Sequence, residues 1–396
     1  MLLVLDGLGA GAMDDCPVED RGSHTLLHVE QKAGPLDLSN LHGLGLGRLA
    51  TLDGPDPGVP LRGAYGLAEL GYPGADTYMG HQELMGVAPA VELRLLSEMR
   101  AGVVRALQDA GHATGDLLAG ASPLVVDGCV LVADNIEARP GLNINVTGSL
   151  DDLSFEALTE IGQVVRAAVS VPRVIVVAGK GFGIEDISTH VKEQAPGQIG
   201  VDSPGLGVYD EHYQVRHLGV RVDVSRQLPS LVLASGGQVV LLGKAADVIQ
   251  CDCAIRHVIV STPAVLDSTV AFLDGMRSGL LVANVQETDL AGHTQDPWRF
   301  ARVLEVVDRF LPEILDRLGP ADVLMVAADH GNDPCIGHSQ HTREAVPVLV
   351  AGAGIRPGPL GRRGSLADIG ATLAAWLEVG APPDGESFAR NVFRWS

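Results

Sequence analysis

The stretch that most constrains the fold is VLMVAADHGNDPCIGHSQHTRE, residues 323–344. It begins as an apolar run without polar interruption, the pattern of a strand buried on both faces of a parallel sheet. The run stops at Asp329-His330, followed by a glycine. A carboxylate and an imidazole at the carboxyl end of a buried strand are costly to desolvate unless something pairs with them, and a metal cation would do so. His341 opens HTRE eleven residues after His330, so a loop can return a second imidazole to the strand end. Oxygen and nitrogen ligands together suit a divalent ion such as Mn, Zn or Mg. Asp-His pairs also occur as ordinary hydrogen-bonded surface groups, so other segments must decide between the two.

At 396 residues the chain is long enough for two domains, or for one large domain carrying an insertion. A formal net charge of −21 argues against nucleic acid or an anionic membrane as a partner. An anionic substrate then needs local help from metal ions or a few placed cations. Only four lysines, Lys32, Lys180, Lys192 and Lys244, stand beside 24 arginines, so a lysine closing an apolar strand is worth noticing. The five cysteines are scattered, odd in number and free of CxxC pairs, which predicts reduced thiols in a cytoplasmic protein. Cys251 and Cys253 could in principle touch a metal, but a spacing of two on one strand face more often means packing. No apolar window is long enough for a membrane span, and no signal-peptide pattern opens the sequence.

Taken in order, Met1 to Leu5 is an apolar strand that delivers Asp6 into the flexible GLGAGAM. In an open parallel sheet, ligands gather outside the carboxyl ends of strands, although Asp6 can equally cap the next turn. GLGAG lacks the spacing of the dinucleotide fingerprint. Residues 31–53 predict a short helix and loop. In GADTYMGHQE, residues 74–83, Asp76 or Thr77 is a good helix N-cap. A threonine hydroxyl there also faces N–H groups suited to phosphate, and beside metal ions it becomes a nucleophile.

From about Ala90 to Val220 helical patterns at 93–110 and 154–170 alternate with strand-like runs at 124–126, 129–133 and 173–178. Asp127-Gly128 reads as a hairpin turn. This predicts an inserted α+β domain over residues 89–220, between core segments 1–88 and 221–396. Asp134 ends one insertion strand and Lys180 another, each a candidate ligand contact or a plain strand-end turn residue. After Val220 a strand at 238–242 closes on Lys244, and an apolar run at 278–285 leads to Glu287, Asp289 and His293. The helix 297–318 carries an apolar face, and a strand at 346–350 and a helix at 366–377 complete the chain. Three strand ends thus supply Asp6, Asp289 with His293, and Asp329 with His330, and a loop supplies His341. Six ligand-type residues are what two metal ions need.

The segments LVLDGLGAG, GADTYMGHQELMG, ETDLAGH, ADHGNDP with HTRE, and SLADIGATLAAWLEV together resemble phosphopentomutases of the alkaline phosphatase superfamily. The resemblance implies an α/β core with a mostly parallel central sheet flanked by helices, an inserted α+β cap domain, and two metal ions, Mn²⁺ before Mg²⁺ or Zn²⁺. It implies that Asp6, Asp329 and His330 hold one ion and Asp289, His293 and His341 the other. Thr77 matches the threonine phosphorylated in the mutase cycle. Asp134 and Lys244 fall where the family has substrate-side residues, and Lys180 and Arg343 are further candidates for substrate contact.

Several positions depart from the family. Asp289 and His293 stand four apart, one residue closer than usual and as in cofactor-independent phosphoglycerate mutase. Met79 replaces a second threonine, Gln82 a tryptophan and Gln340 an aspartate, and His338 is added. The cap motif has become VDSPGLGVYDEHYQV, without its arginines, although His212, Tyr213 and Arg216 remain. The expectation is a phosphomutase acting on a small phosphorylated sugar or related metabolite. A phosphatase or phosphodiesterase using the same site and a non-catalytic metal-binding homologue are the competing readings.

Overall fold

The computed structural model describes residues 1–49, 58–88, 90–117, 123–208 and 212–393. The chain forms two compact units, Met1–Pro89 with Val222–Ser396, and Ala90–Arg221. An eight-stranded sheet centres the first unit, in the order Ile255–His257, Gln238–Leu242, Gly279–Val285, Leu2–Leu5, Leu324–Ala327, Val346–Ala351, Ala64–Ala68 and Gly358–Arg363. Only Val346–Ala351 runs against its neighbours. The remaining pairs are parallel. The middle strands LLVL, LMVA and VPVLVA are buried at every residue. Apolar runs without alternation are what a sheet covered on both faces requires. The run after Val323 was expected between parallel neighbours. It is parallel to Leu2–Leu5 but antiparallel to Val346–Ala351.

Helices form two groups. Thr25–Ala33, Thr262–Gly275 and Pro297–Leu315 pack together, and so do Thr77–Leu84, Leu228–Ala234 and Ala367–Trp376. Members of both groups contact the strand Gly279–Val285, which puts a helical layer on each face. Pro297–Leu315 buries Phe300, Val303, Leu304, Val307 and Leu311, the period of a helix with one inward face. The helix Thr262–Gly275, whose Thr-Pro start signals an N-terminus, has no counterpart in the sequence reading. Residues 31–53 were expected to hold one short helix. They hold the end of Thr25–Ala33 and then Ser39–Leu44, with 50–57 outside the described residues.

The second unit is built on six strands in the order Gln214–Gly219, Arg173–Gly179, Asn143–Ser149, Val130–Asp134, Leu124–Val126 and Thr114–Asp116. Its one parallel pair, Asn143–Ser149 with Arg173–Gly179, is connected through the helix Phe155–Ala168. Asp127 and Gly128 both have positive φ, 51° and 74°, as the tight hairpin between 124–126 and 130–134 demands. One face packs on the helices Leu96–Asp109 and Phe155–Ala168. The other packs on Ile184–Thr189 and the ribbon Val191–Ala195 with Gln198–Val201. The fold is therefore an α/β core with a mostly parallel sheet flanked by helices, interrupted by an α+β unit. Among the described residues no helix is long and apolar enough to cross a membrane.

Candidate metal centre

Four neighbouring parallel strands end on the same edge of the sheet. In spatial order, Gln238–Leu242 leads to Lys244, Gly279–Val285 to Asp289 and His293, Leu2–Leu5 to Asp6, and Leu324–Ala327 to Asp329 and His330. Val346–Ala351 runs the other way, so the loop entering it brings His341 to that same edge. Residues far apart in sequence thus meet because strand order places their carboxyl ends side by side. Asp289 and His293 do not emerge directly from a strand. They lie on the short helix Glu287–His293, where a spacing of four puts both on one face, 3.5 Å apart.

The donor atoms of Asp289, His293 and His341 lie within 4.8 Å of one another, and so do those of Asp6, Asp289 and His330. Asp289 therefore belongs to both groups. Within the first, its Oδ1 faces His341 Nε2 at 3.4 Å and its Oδ2 faces His293 Nε2. Asp329 stands beside the second group, with Oδ2 3.3 Å from His330 Nε2.

Each histidine has Nδ1 against a backbone carbonyl: His293 with Ser339 at 2.7 Å, His330 with Gly331 at 3.1 Å, and His341 with Ala75 at 3.3 Å. Donation from Nδ1 fixes the tautomer and leaves the Nε2 lone pair for the centre. The Nε2 atoms of His293 and His341 then face each other at 3.1 Å. At that distance either a proton on one of the rings or a cation against both must separate the two lone pairs. Asp6 Oδ1, fully buried, accepts no hydrogen bond. This donor set fits divalent ions bound by carboxylate oxygen and imidazole nitrogen.

Thr77 is the first residue of the helix Thr77–Leu84. Asp76 takes the cap, accepting from Met79 N at 3.1 Å, so the Thr77 hydroxyl is not spent on capping. Thr77 Oγ1 lies 2.7 Å from His330 Nε2 and 3.4 Å from Lys244 Nζ. Gly80, one turn on, lets the helix lie against the strand end, since a Cβ there would collide with the Asp329 backbone. Lys244 Nζ is 2.8 Å from Asp6 Oδ2 and 3.0 Å from Asp289 Oδ2.

A second ring of side chains holds the first. Asn332 Nδ2 donates to Asp289 Oδ1 at 2.8 Å. Asn284 Nδ2 lies 3.1 Å from both Asp6 Oδ2 and His81 Nε2. The other nitrogen of His81 contacts Thr77 O at 2.9 Å and Asp329 Oδ2 at 3.2 Å. Tyr72 Oη reaches the carbonyls of Asp76 and Asp329 at 3.0 and 3.1 Å. Sequence reading did not single out His81, Asn284, Asn332 or Tyr72. Asn332 and His81 stand inside motifs already quoted, and that adjacency is the only signal for them.

Burial, then the charge of Asp329, pushes the Asp6 carboxyl up to about 6. Burial also opposes ionisation of Asp289, but Lys244 and His341 hold it well below the usual range. Asp329 is likewise held low against its burial, by His330 and His81. Burial and then His330 push His341 down to about 4, which keeps the imidazole neutral. For Lys244 burial works against the ammonium, yet Asp289 and Asp6 outweigh it and hold the group above its ordinary value.

The other substrate-side expectations meet a different geometry. Arg343 spends all five guanidinium N–H donors on protein. Nε and Nη2 bind Asp15 at 2.8 Å each, Nη2 also reaches Leu70 O at 3.2 Å, and Nη1 donates to Tyr72 O and Gly74 O at 2.6 and 2.7 Å. No donor remains for a ligand, and the residue buttresses the segment leading into Asp76-Thr77. Asp134, in the second unit, is buried, and its carboxylate accepts from Leu96 N at 2.7 Å and Ile199 N at 3.2 Å. Lys180 is exposed at the end of Arg173–Gly179 in the same unit. Of the altered cap motif, residues 209–211 lie outside the described residues, while Arg216 lies over the Phe155 ring at 5.8 Å.

The sequence model of the metalloenzyme superfamily matches residues 1–381. The chain belongs to the metalloenzyme superfamily. Within the superfamily it is similar to the phosphopentomutase of Symbiobacterium thermophilum, 31% identical over 99% of this chain and 98% of that one. The phosphopentomutases of Shewanella loihica and Anaeromyxobacter dehalogenans are each 32% identical, over 98% and 100% of this chain and 98% and 99% of theirs. Among solved structures, a phosphoglycerate mutase of Leishmania mexicana aligns over 98% of this chain and 96% of its own with a TM-score of 0.48 and 16% identity.

Proposed function

We propose that this chain is a two-metal phosphomutase acting on a small phosphorylated sugar or related metabolite through a phosphothreonine at Thr77. The observation that carries the reading is the position of Thr77 Oγ1. It stands 2.7 Å from a histidine of one donor group and 3.4 Å from the lysine that touches Asp289, shared by both groups, and Asp6. The chain's full-length likeness to phosphopentomutases supports the same chemistry.

Asp6, Asp289, Asp329, His293, His330 and His341 are the residues that would hold two divalent ions, Mn²⁺ being the first choice by the likeness to phosphopentomutases; the mixed donor set also suits Mg²⁺ or Zn²⁺. Such ions supply positive charge that lowers the proton affinity of the hydroxyl and neutralises phosphoryl oxygens during in-line transfer. Asp76, by capping the helix, leaves Thr77 Oγ1 free to take the phosphoryl group. His330 and the backbone contacts of His81 fix where that oxygen points. Lys244 offers a compact cation to phosphate oxygens. The group then passes to a second hydroxyl of the reoriented substrate, which restores Thr77.

The test is Thr77→Ala with pentose phosphates and related mono- and bisphosphorylated sugars, scoring isomer against free phosphate. The expected result is normal metal content, a drop in turnover of ~10³-fold or more, and no phosphate on the protein by intact mass. A fully active Thr77→Ala protein removes the nucleophile from the proposal. Free phosphate without isomer from the wild type converts the reading to a phosphatase.

A further inference from the structure

Lys244 occupies an unexpected place for a substrate contact. Its ammonium lies between Asp6 Oδ2 and Asp289 Oδ2, at 2.8 and 3.0 Å, with its side chain 13% exposed. Asp289 is shared by both donor groups and Asp6 belongs to one of them, so the ammonium sits on the oxygens that two ions would use. Three buried carboxylates crowd this edge of the sheet, Asp6, Asp289 and Asp329. Among the described residues Lys244 is the one cation of the chain's lysines and arginines with an ion pair to any of them.

We infer that Lys244 is a built-in counter-ion, which holds Asp6 and Asp289 together while no divalent ion is bound and must leave them when one binds. This rests on the metal-binding part of the function proposed above. A divalent ion bound to these oxygens at roughly 2.0–2.2 Å would stand too near the ammonium for both to remain in a poorly screened interior. The lysine stem has the freedom to give way, because a four-carbon chain carries a point charge with rotatable donors. Its backbone has none: Gly243 N is bonded to His257 O at 3.0 Å, and Val248 O at the end of the following turn accepts from Gln82 Nε2 at 3.0 Å. The ammonium therefore swings from a fixed root. Its one other hydrogen-bond acceptor among the described residues is Thr77 Oγ1, already 3.4 Å away. The same side chain thus neutralises the centre before metal arrives and is delivered to the phosphoryl side afterwards.

Two measurements test this. In Lys244→Met the metal-free protein is expected to melt at a lower temperature than the wild type, and Mn²⁺, titrated by calorimetry, to bind ~10-fold more tightly, the size of an ordinary coupling between competing ligands. In the wild type, amine acylation followed by mass spectrometry is expected to label Lys244 several-fold faster with Mn²⁺ than without it. The exposed Lys180 serves as internal reference, in a chain with only four lysines. Mn²⁺ binding to Lys244→Met that is unchanged or weaker overturns the counter-ion role. So does acylation of Lys244 that Mn²⁺ does not raise, and this readout decides alone if the variant does not fold. If the wild type takes up no divalent ion, the two-metal reading falls as well, which distinguishes the two failures.

Discussion

Replacing Arg343 with methionine separates a residue that touches substrate from one that shapes the site. The guanidinium satisfies the carbonyls of Leu70, Tyr72 and Gly74 and pairs through two bonds with Asp15. Methionine fills similar volume but leaves three carbonyls without donors, at about 1 kcal/mol or more each where they stay buried. The Asp15 pair adds little, because the Asp15 side chain is 63% exposed and water screens it. The sum is roughly 3–5 kcal/mol, which in a unit of this size lowers the melting temperature by on the order of 10 °C. The segment 70–74 leads into Asp76-Thr77, and Tyr72 Oη ties it to Asp329 O, so the loss should also reach the reaction. Urea and thermal unfolding, with steady-state kinetics on whichever phosphorylated sugar is turned over, give the expected pattern: lower stability, lower kcat and a KM changed by less than about threefold. Arg343→Lys keeps the charge but not the fork and should fall between the two. Unchanged stability together with a KM raised tenfold would refute the reasoning and return Arg343 to the substrate.

Two further outcomes follow from buried polar groups. Burial pushes the Glu83 carboxyl up to about 7, despite bonds from Ser365 and Gly71, against an unfolded value of 4.5. A raised carboxyl contributes stability that is fully present below pH 4.5 and is lost as pH rises through about 7, on the order of 3 kcal/mol; Glu83→Gln should flatten the pH dependence of urea midpoints across that window, and a slope equal to the wild type's would count against it. Asn332→Ala removes the amide that holds Asp289 Oδ1 and should weaken Mn²⁺ binding by about 10–100-fold, while calorimetry showing wild-type affinity would mean that Asp289 needs no such support.

What the sequence disclosed and what it concealed divide along physical lines. Mostly apolar runs mark the buried strands Leu2–Leu5, Gln238–Leu242, Gly279–Val285 and Leu324–Ala327, because a strand covered on both faces favours apolar residues throughout. Their ends could therefore be read, and with them Asp6, Asp289, Asp329 and His330. The strands Ala64–Ala68, AYGLA, and Gly358–Arg363, GPLGRR, escaped because they lie toward the sheet's far edge, where glycine and polar residues break the pattern. Asn143–Ser149 escaped because its buried residues alternate polar and apolar as NINVTGS. At the centre, residue type announced the carboxylates and imidazoles but not their pairing. That Asp289 faces both groups follows from a helical turn at Glu287–His293, and a spacing of four is also what a strand end followed by a loop would show. Arg343 is legible only from its partners. A guanidinium facing carbonyls and one facing phosphate look alike in a sequence.

Gln82 shows how a departure from the family pattern can leave the donor atoms alone and still act on the site. It stands where a phosphopentomutase usually carries tryptophan, and here it is fully buried. Its amide donates to Val248 O at 3.0 Å and its oxygen accepts from Gln227 Nε2 at 2.7 Å. An indole can donate one hydrogen bond and accept none, so it could serve Val248 but would leave Gln227 without that acceptor. Gln82 and Gln227 therefore work as a pair. Through Val248 the pair ties the helix that carries Thr77 to the short turn, Ala245–Val248, that Lys244 opens. Among the described residues none of the six carboxylates and imidazoles hydrogen-bonds to either glutamine. The substitution thus acts on where the ammonium is rooted relative to the hydroxyl. The six carboxylates and imidazoles and the Thr77–Lys244 pair can then change separately, because different elements carry them.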